Sequence, residues 1–320
     1  MSHSIRTNPN PFISAVVPAF NEGQMIQQFV QTLSEHLAML TDRYEIIVID
    51  DGSRDHTAEQ VKAIVDRFPV KLLKFSRNFG KEKAITAGLN NTSGDAVLII
   101  DSDFQHPMEV IGQFLQKWRE GYDNVYGIRD RRDQTMLNRF FANRFYKVNR
   151  YLMSIDLPAN AGDFRLMDRK VVEAIRTLPE SNRFMKGLYA WVGFKGIGVP
   201  YQVQQRAAGK SRFNFMSLLN LAITGITSFS DWPLRIWSFI GILISLLAMV
   251  YGIWIMVYTL AYGNNVPGWA TLAVGVLFLG GIQLISIGVI AEYIARIFNE
   301  VKRRPPYIVS EKIGFEREQL

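Results

Sequence analysis

The chain is predicted to be an α/β protein: a doubly wound, parallel-sheet domain followed by a two-helix transmembrane hairpin. Three observations predict this. Short, β-branched apolar runs alternate with helically spaced stretches from Phe12 to Ile128, the pattern of a sheet covered by helices on both faces. Polar clusters follow four of these runs. Two long uncharged stretches then lie near the end of the chain, each long enough to cross a bilayer.

Residues 1–11 are polar and read as a flexible tail. Phe12 to Val17 is an apolar run ended by Pro18, which suits a buried strand. Glu22 to Leu40 carries Met25, Phe29, Leu33, Leu37 and Leu40 at helical spacing. Tyr44 to Ile49 is the second strand. A helical stretch runs on to Phe68, followed by strand Val70 to Phe75, helix Lys81 to Asn90 and strand Ala96 to Ile100. Helix Met108 to Glu120 and strand Asn124 to Ile128 continue the alternation. Arg131 to Met153 reads as a basic amphipathic helix. Gly162 to Met167 and Val199 to Gln204 read as added strands, with a helix over Arg183 to Trp191 between them. The sheet domain is therefore placed at 12–211.

Residues 212–232 are aromatic and amphipathic, and are expected to form a helix lying in the headgroup region. The hairpin occupies 233–298. Ile236 to Leu260 is a run of about 25 residues without charge and Ala270 to Ala291 one of about 22, against roughly 20 needed to span the hydrocarbon. The turn between them, Ala261 to Trp269, contains Gly and Pro and no Lys or Arg. Arg235 precedes the first span, and Arg296, Lys302, Arg303 and Arg304 follow the second. The positive-inside rule then places both termini and the sheet domain in the cytoplasm, at the inner membrane, with 299–320 a cytoplasmic tail. The first residues show no charged-then-apolar pattern of signal-peptide type. Gly241 with Ser245, and Gly281 with Gly288, offer small-residue faces that would close the hairpin or join protomers into a homo-oligomer. Glu292 and Arg296 are spaced for an i,i+4 pair.

The formal net charge is +7. With two spans present, this favours an anionic membrane surface and phosphorylated substrates, and no recognition motif supports nucleic acid as a partner. The sequence contains no cysteine, which excludes disulfides, Cys-ligated zinc and a thiol nucleophile.

In doubly wound sheets, ligands bind outside the carboxyl ends of the strands. Pro18 to Glu22, Asp50 to Ser53, Ser76 to Gly80 and Asp101 to Asp103 each follow an apolar run, so four polar clusters should meet at one edge. Asp101 and Asp103, with Gln105 beyond, are oxygen ligands of the type that hold Mg²⁺ or Mn²⁺ together with phosphate. Asp101 could instead cap the next helix. Asp51 and Glu22 face a similar choice between a turn or helix-start role and a nucleotide contact. Arg129 and the loop Arg206-Ala-Ala-Gly-Lys-Ser-Arg212 supply phosphate-binding cations, or a solvated basic loop.

These segments, together with Gly94-Asp95 and Gly162-Asp-Phe-Arg-Leu-Met167, resemble the family 2 glycosyltransferases of GT-A fold, which implies a Rossmann-like mixed sheet. The resemblance covers nearly the whole chain. It is nearest to the polyprenyl-phosphate glycosyltransferases, a group that includes dolichyl-phosphate mannose synthase and the bactoprenol glucosyltransferases of phage serotype conversion. Phe278 to Gln283 and Gly288 to Tyr293 in the spans resemble the bactoprenol branch. It implies that Pro18, Phe20, Glu22, Asp51, Asp101, Ser102, Asp103 and Arg129 hold the nucleotide-sugar. Asp103 and Gln105, with Asp101, would hold the metal. Arg206, Lys210 and Arg212 would hold the acceptor and diphosphate, and Asp163 would face the reacting centre. Asp163 and Asp103 are thus the catalytic candidates. Ser102, Phe104 and His106 replace the Ala, Leu and Asp usual in the metal motif, and none of these removes an expected ligand. His106 is expected to shape the helix entry.

The implied reaction is a single inverting displacement of sugar, with UDP-glucose as expected donor, onto undecaprenyl or another polyprenyl phosphate. A phosphate monoester is largely ionised at neutral pH, so a strong base is less necessary than for a hydroxyl acceptor. A processive polysaccharide synthase of the same fold would carry a Gln-x-x-Arg-Trp motif, which is absent. A non-catalytic membrane scaffold would not need Asp103, Gln105 and Arg206 together.

Overall fold

The computed structural model describes residues 6–8, 10–129, 158, 161–180, 183–203, 232–262 and 268–315. They form two compact units. One comprises the sheet with the C-terminal strand, and the other the long apolar helices.

The sheet unit holds strands β1 (Ile13–Ala19), β2 (Tyr44–Asp50), β3 (Val70–Phe75), β4 (Ala96–Ile99), β5 (Asn124–Arg129), β6 (Ala161–Asp168), β7 (Gly196–Tyr201) and β8 (Val309–Ile313). Its helices are α1 (Ile26–Leu40), α2 (Thr57–Lys62), α3 (Lys81–Asn90), α4 (Glu109–Arg119), α5 (Arg169–Arg176) and α6 (Met185–Trp191). The strand order is β7-β5-β6-β4-β1-β2-β3-β8. β1 to β4 are mutually parallel. β6 runs antiparallel between β4 and β5, and β8 antiparallel along β3.

Strand alternation divides the core between two faces. Ala15 and Val17 of β1, Ile46 and Val48 of β2 and Leu98 of β4 pack with Phe29, Leu33 and Leu37 of α1 and Phe114 of α4 in one cluster. Each such fully buried Val, Leu, Ile or Phe side chain contributes about 1.5–3 kcal/mol. Val16 and Ile49 point to the opposite face, against α3. There a Cβ on Gly88 would come within 2.2 Å of Val16, so α3 rides close to the sheet because this residue is glycine.

Several boundaries differ from the sequence reading. Pro18 lies inside β1, opposite Ile49, instead of ending it. The first helix begins at Ile26, because Glu22 to Met25 form a turn in which the Glu22 carbonyl accepts the amides of Met25 and Ile26. Within the expected flexible tail, Arg6 is pinned, pairing with Asp123 at 2.5 Å and Asp168 at 2.9 Å. β8 comes from the segment read as a tail. It is short, polar and at an edge, so it carries little apolar signal. It is held by Ser76 N–H donating to Ile308 O (3.0 Å), by Lys62–Glu311 (2.8 Å), and by Tyr307 stacking on Phe75 at 5.0 Å. The expected helix over 131–153 lies outside the described residues, as does that over 212–232 apart from Trp232, which opens the next helix.

The second unit contains α7 (Trp232–Tyr262) and α8 (Trp269–Val301). Phe239–Tyr262 and Val274–Val301 are long and apolar enough to cross a membrane, and the most apolar window of each is not buried by protein. Leu246, Leu247, Ile253, Leu284 and Ile287 stand exposed, which lipid would cover at no cost. Arg296 pairs with Glu292 at 3.0 Å, as their spacing anticipates.

Candidate active site

Because β2, β1 and β4 are parallel neighbours, their carboxyl ends emerge side by side and bring three of the polar clusters together. The loop after β3 joins them. Asp51 N–H donates to Ala19 O (2.9 Å), and Asn21 N–H donates to Ser53 Oγ (2.9 Å). Asn21 Oδ1 accepts Arg54 N–H (3.0 Å), holding Asn21 in the left-handed conformation at φ 57°. Glu22 N–H donates to Thr57 Oγ1 (2.9 Å), and Ser102 Oγ donates to Pro18 O (3.4 Å). Phe20 sits one residue beyond β1, half-buried.

At the end of β2, Asp50 Oδ1 accepts Ser53 N–H (2.9 Å) and closes the turn. Gly52 has φ 67°, and a Cβ there would lie 2.2 Å from the Arg77 backbone, so this turn requires glycine. Asp51 accepts Phe79 N–H (2.7 Å) and Gly80 N–H (2.9 Å), which ties the loop after β3 to the end of β2. Burial raises the Asp51 pKa despite these two amides.

The Asp101 to His106 turn forms the centre of the site. β4 and β6 pair antiparallel with Ile99 opposite Arg165, and carrying that register two residues on brings Asp163 opposite Asp101. Lys81, the first residue of α3, places its ammonium between them, 2.6 Å from Asp101 Oδ1 and 3.1 Å from Asp163 Oδ2. Burial opposes the charge on both carboxylates, but Lys81 outweighs it and holds each below the ordinary carboxylate range. Burial also disfavours the Lys81 charge, and the two carboxylates outweigh that and raise its pKa. The Lys81 side chain is 45% exposed, so water screens part of this attraction.

His106 is buried, stacked on Phe164 at 4.5 Å, with Nε2 3.5 Å from Asp101 Oδ2. It thus faces the Asp101 carboxylate from the core side. Asp103 Oδ1 accepts Gln105 N–H (3.1 Å). Phe104 between them takes φ 57°, unusual for an aromatic residue, and packs edge-on against Phe29 at 5.1 Å. Backbone strain of about 1–3 kcal/mol is thus held at the Asp101 to His106 turn by a core contact. Arg129, at the end of β5, donates from Nε to Tyr201 OH (3.2 Å), and Tyr201 in turn lies edge-on to His106 at 5.5 Å. Arg206, Lys210 and Arg212 lie outside the described residues.

Sequence reasoning missed a layer behind Asp163. Arg165 is buried, with its guanidinium 3.5 Å from the Tyr189 ring centroid, and its Nη2 donates to Gly162 O (2.7 Å). Glu82 Oε2 accepts Met185 N–H (3.0 Å), joining α3 to α6. Burial and the nearby Asp163 charge push the Glu82 pKa up to about 7. Lys81 immediately follows the polar cluster at Gly80, and Arg165 lies inside a segment already singled out. Their neighbours, however, come from distant parts of the chain.

Comparison with known proteins identifies the family. Residues 14–176 match the glycosyl transferase family 2 model, and residues 232–297 match the GtrB C-terminal hairpin. The chain is 46% identical over 306 residues to an uncharacterised glycosyltransferase of Synechocystis, covering 95% of this chain and 96% of that protein. It is 47% identical over 301 residues to the SfII prophage-derived bactoprenol glucosyl transferase of Shigella flexneri, covering 93% and 97%. Among solved structures, glucosyl-3-phosphoglycerate synthase of Mycobacterium tuberculosis aligns at a TM-score of 0.49 and 20% identity, over 68% of this chain and 76% of that one. The strand-end site lies within the matched segment and the two uncovered apolar helices coincide with the matched hairpin: the chain is a membrane-associated glycosyltransferase of family 2, of GT-A-like fold, and belongs with the bactoprenol glucosyl transferases.

Proposed function

We propose that this enzyme transfers glucose from UDP-glucose onto undecaprenyl phosphate at the cytoplasmic face of the membrane, with inversion and with a divalent cation. The observation that carries this reading is one chain combining a strand-end carboxylate site with an exposed apolar hairpin, at 47% identity to a named bactoprenol glucosyl transferase. A polyprenyl chain leaves the bilayer only at about 0.8 kcal/mol per CH₂, so its transferase has to work at headgroup level.

Donor contacts are assigned to Pro18, Phe20, Glu22, Asp51, Asp101, Ser102, Asp103 and Arg129. Among the described residues no group of three His, Asp or Glu side chains forms a ready-made metal cage. Asp101 and Asp103, oxygen donors on the turn after β4, suit a cation such as Mg²⁺ or Mn²⁺ that takes one or two carboxylates and completes its shell with phosphate oxygens and water. Asp103 and Gln105, with Asp101, would hold it, and when bound it supplies charge neutralisation for the leaving diphosphate. The chain's own task is to align two anions. An acceptor phosphate oxygen forms a bond to the anomeric carbon as the bond from that carbon to the UDP oxygen breaks. Asp163, held by Lys81, faces positive charge developing on the sugar. Arg129, Arg206, Lys210 and Arg212 are assigned to the donor and acceptor phosphates.

The test is a panel of radiolabelled nucleotide-sugars offered with undecaprenyl phosphate in detergent, with Mg²⁺ or chelator. UDP-glucose is expected to label the lipid in the presence of metal only. Labelling by a different donor would correct the sugar, and transfer undiminished by chelator would remove the metal from the account.

A further inference from the structure

Lys81 occupies the position of a cation. Its ammonium sits between two carboxylates at 2.6 and 3.1 Å, the closest cation to both, with His106 on the far side of Asp101 and Arg165 and Lys186 near Asp163. The groups around it are Asp101 with His106, Asp163, and Glu82 next along α3. The helix start that carries Lys81 is fixed from outside the pair, because the amides of Phe79 and Gly80 are held by Asp51. The side chain, by contrast, is 45% exposed and reaches the carboxylates through a flexible stem. The backbone is thus fixed while the charge at its tip remains movable.

We propose that Lys81 is the built-in counter-cation of the donor-free site, and that a divalent cation arriving with the nucleotide competes with it for Asp101. This rests on the metal reading given above. In the absence of donor, the Lys81 ammonium bridges Asp101 and Asp163 and holds the two side chains together. A divalent ion bound at Asp101 makes the ammonium electrostatically redundant there, and the two cations repel. Lys81 therefore lowers the affinity for metal while preserving the site's geometry. It is a positioning residue acting on the carboxylate pair, and its removal should strengthen metal binding even as it harms transfer.

The experiment is titration of Mn²⁺ into the full-length, detergent-solubilised enzyme in the presence of saturating UDP, followed by the electron paramagnetic resonance signal of free Mn²⁺. Lys81→Met should bind Mn²⁺ about tenfold more tightly than wild type, the scale of two partly exposed ion pairs. Lys81→Arg keeps the charge and should remain within about twofold. Unchanged or weaker binding by Lys81→Met, with wild type binding normally, overturns the role given to Lys81. No Mn²⁺ bound by wild type with UDP present overturns the metal reading itself, and this proposal with it. The thermal midpoint of each variant checks that it is folded.

Discussion

Asp101 and Asp163, far apart in sequence, share one ammonium because they stand on antiparallel neighbours, with Lys81 Nζ 2.6 Å from one and 3.1 Å from the other. The insertion of β6 beside β4 is what creates the pair. A carboxylate on β6 is thereby placed beside the turn that follows β4. Asp163→Asn keeps the shape and removes the charge, and Lys81 retains Asp101 as partner. Transfer is expected to fall by at least about 100-fold, with the fold intact. Initial rates and circular dichroism on the same preparation check this.

Glu82 gives a pH dependence whose sign can be worked out. Its folded pKa is raised to about 7 by burial and by Asp163, against 4.5 for the unfolded chain. The folded state therefore binds the proton more tightly, and stability from this group is fully present below about pH 4.5 and is lost as pH rises through about 7. Asp163, shifted below 3.8, and Lys81, shifted above 10.5, titrate outside this window. The apparent unfolding midpoint of the wild type should fall between pH 5 and 8. Glu82→Gln should flatten that fall while still accepting the Met185 amide.

Arg165 is expected to matter for stability more than any surface arginine. It is 3% exposed, lies over Tyr189, and donates to the carbonyl next to Asp163. Arg165→Met leaves the buried Gly162 carbonyl without that donor and removes the guanidinium from the Tyr189 ring, at a cost of about 1–3 kcal/mol. Chemical denaturation should show this loss. Tyr189→Phe keeps the ring under the guanidinium and should cost less than about 1 kcal/mol.

Membrane topology can be read with single cysteines, since the natural chain has none. Asn264→Cys, in the segment that joins the two apolar helices, should react with an impermeant maleimide in intact cells. Ser310→Cys, on β8 beside the catalytic sheet, should react only after lysis. Reversed labelling would turn the site to the wrong side for a cytoplasmic donor.

Much of this architecture is legible in the sequence because its signals are local. β3 and α3 begin and end where periodicity places them, and the polar clusters at Asp51 and Asp101 follow directly from strand ends. Three features were not legible, each for a physical reason. β8 is a five-residue edge strand with one side open to solvent, so its sequence looks like a tail. Pro18 reads as a strand breaker, yet it is tolerated because β1 continues past it and its carbonyl still accepts Ser102 Oγ. The Lys81, Glu82, Arg165 and Tyr189 layer depends on α3, β6 and α6 meeting in space, which no window of sequence contains.

The central claim is that this enzyme places glucose on a lipid phosphate. It is tested most directly by mass spectrometry of the lipid recovered after incubating the purified enzyme with UDP-glucose, undecaprenyl phosphate and Mg²⁺. A new species heavier by one hexose, absent with Asp103→Asn, is the expected result. Unmodified lipid, with glucose released free or built into polymer, would contradict the claim.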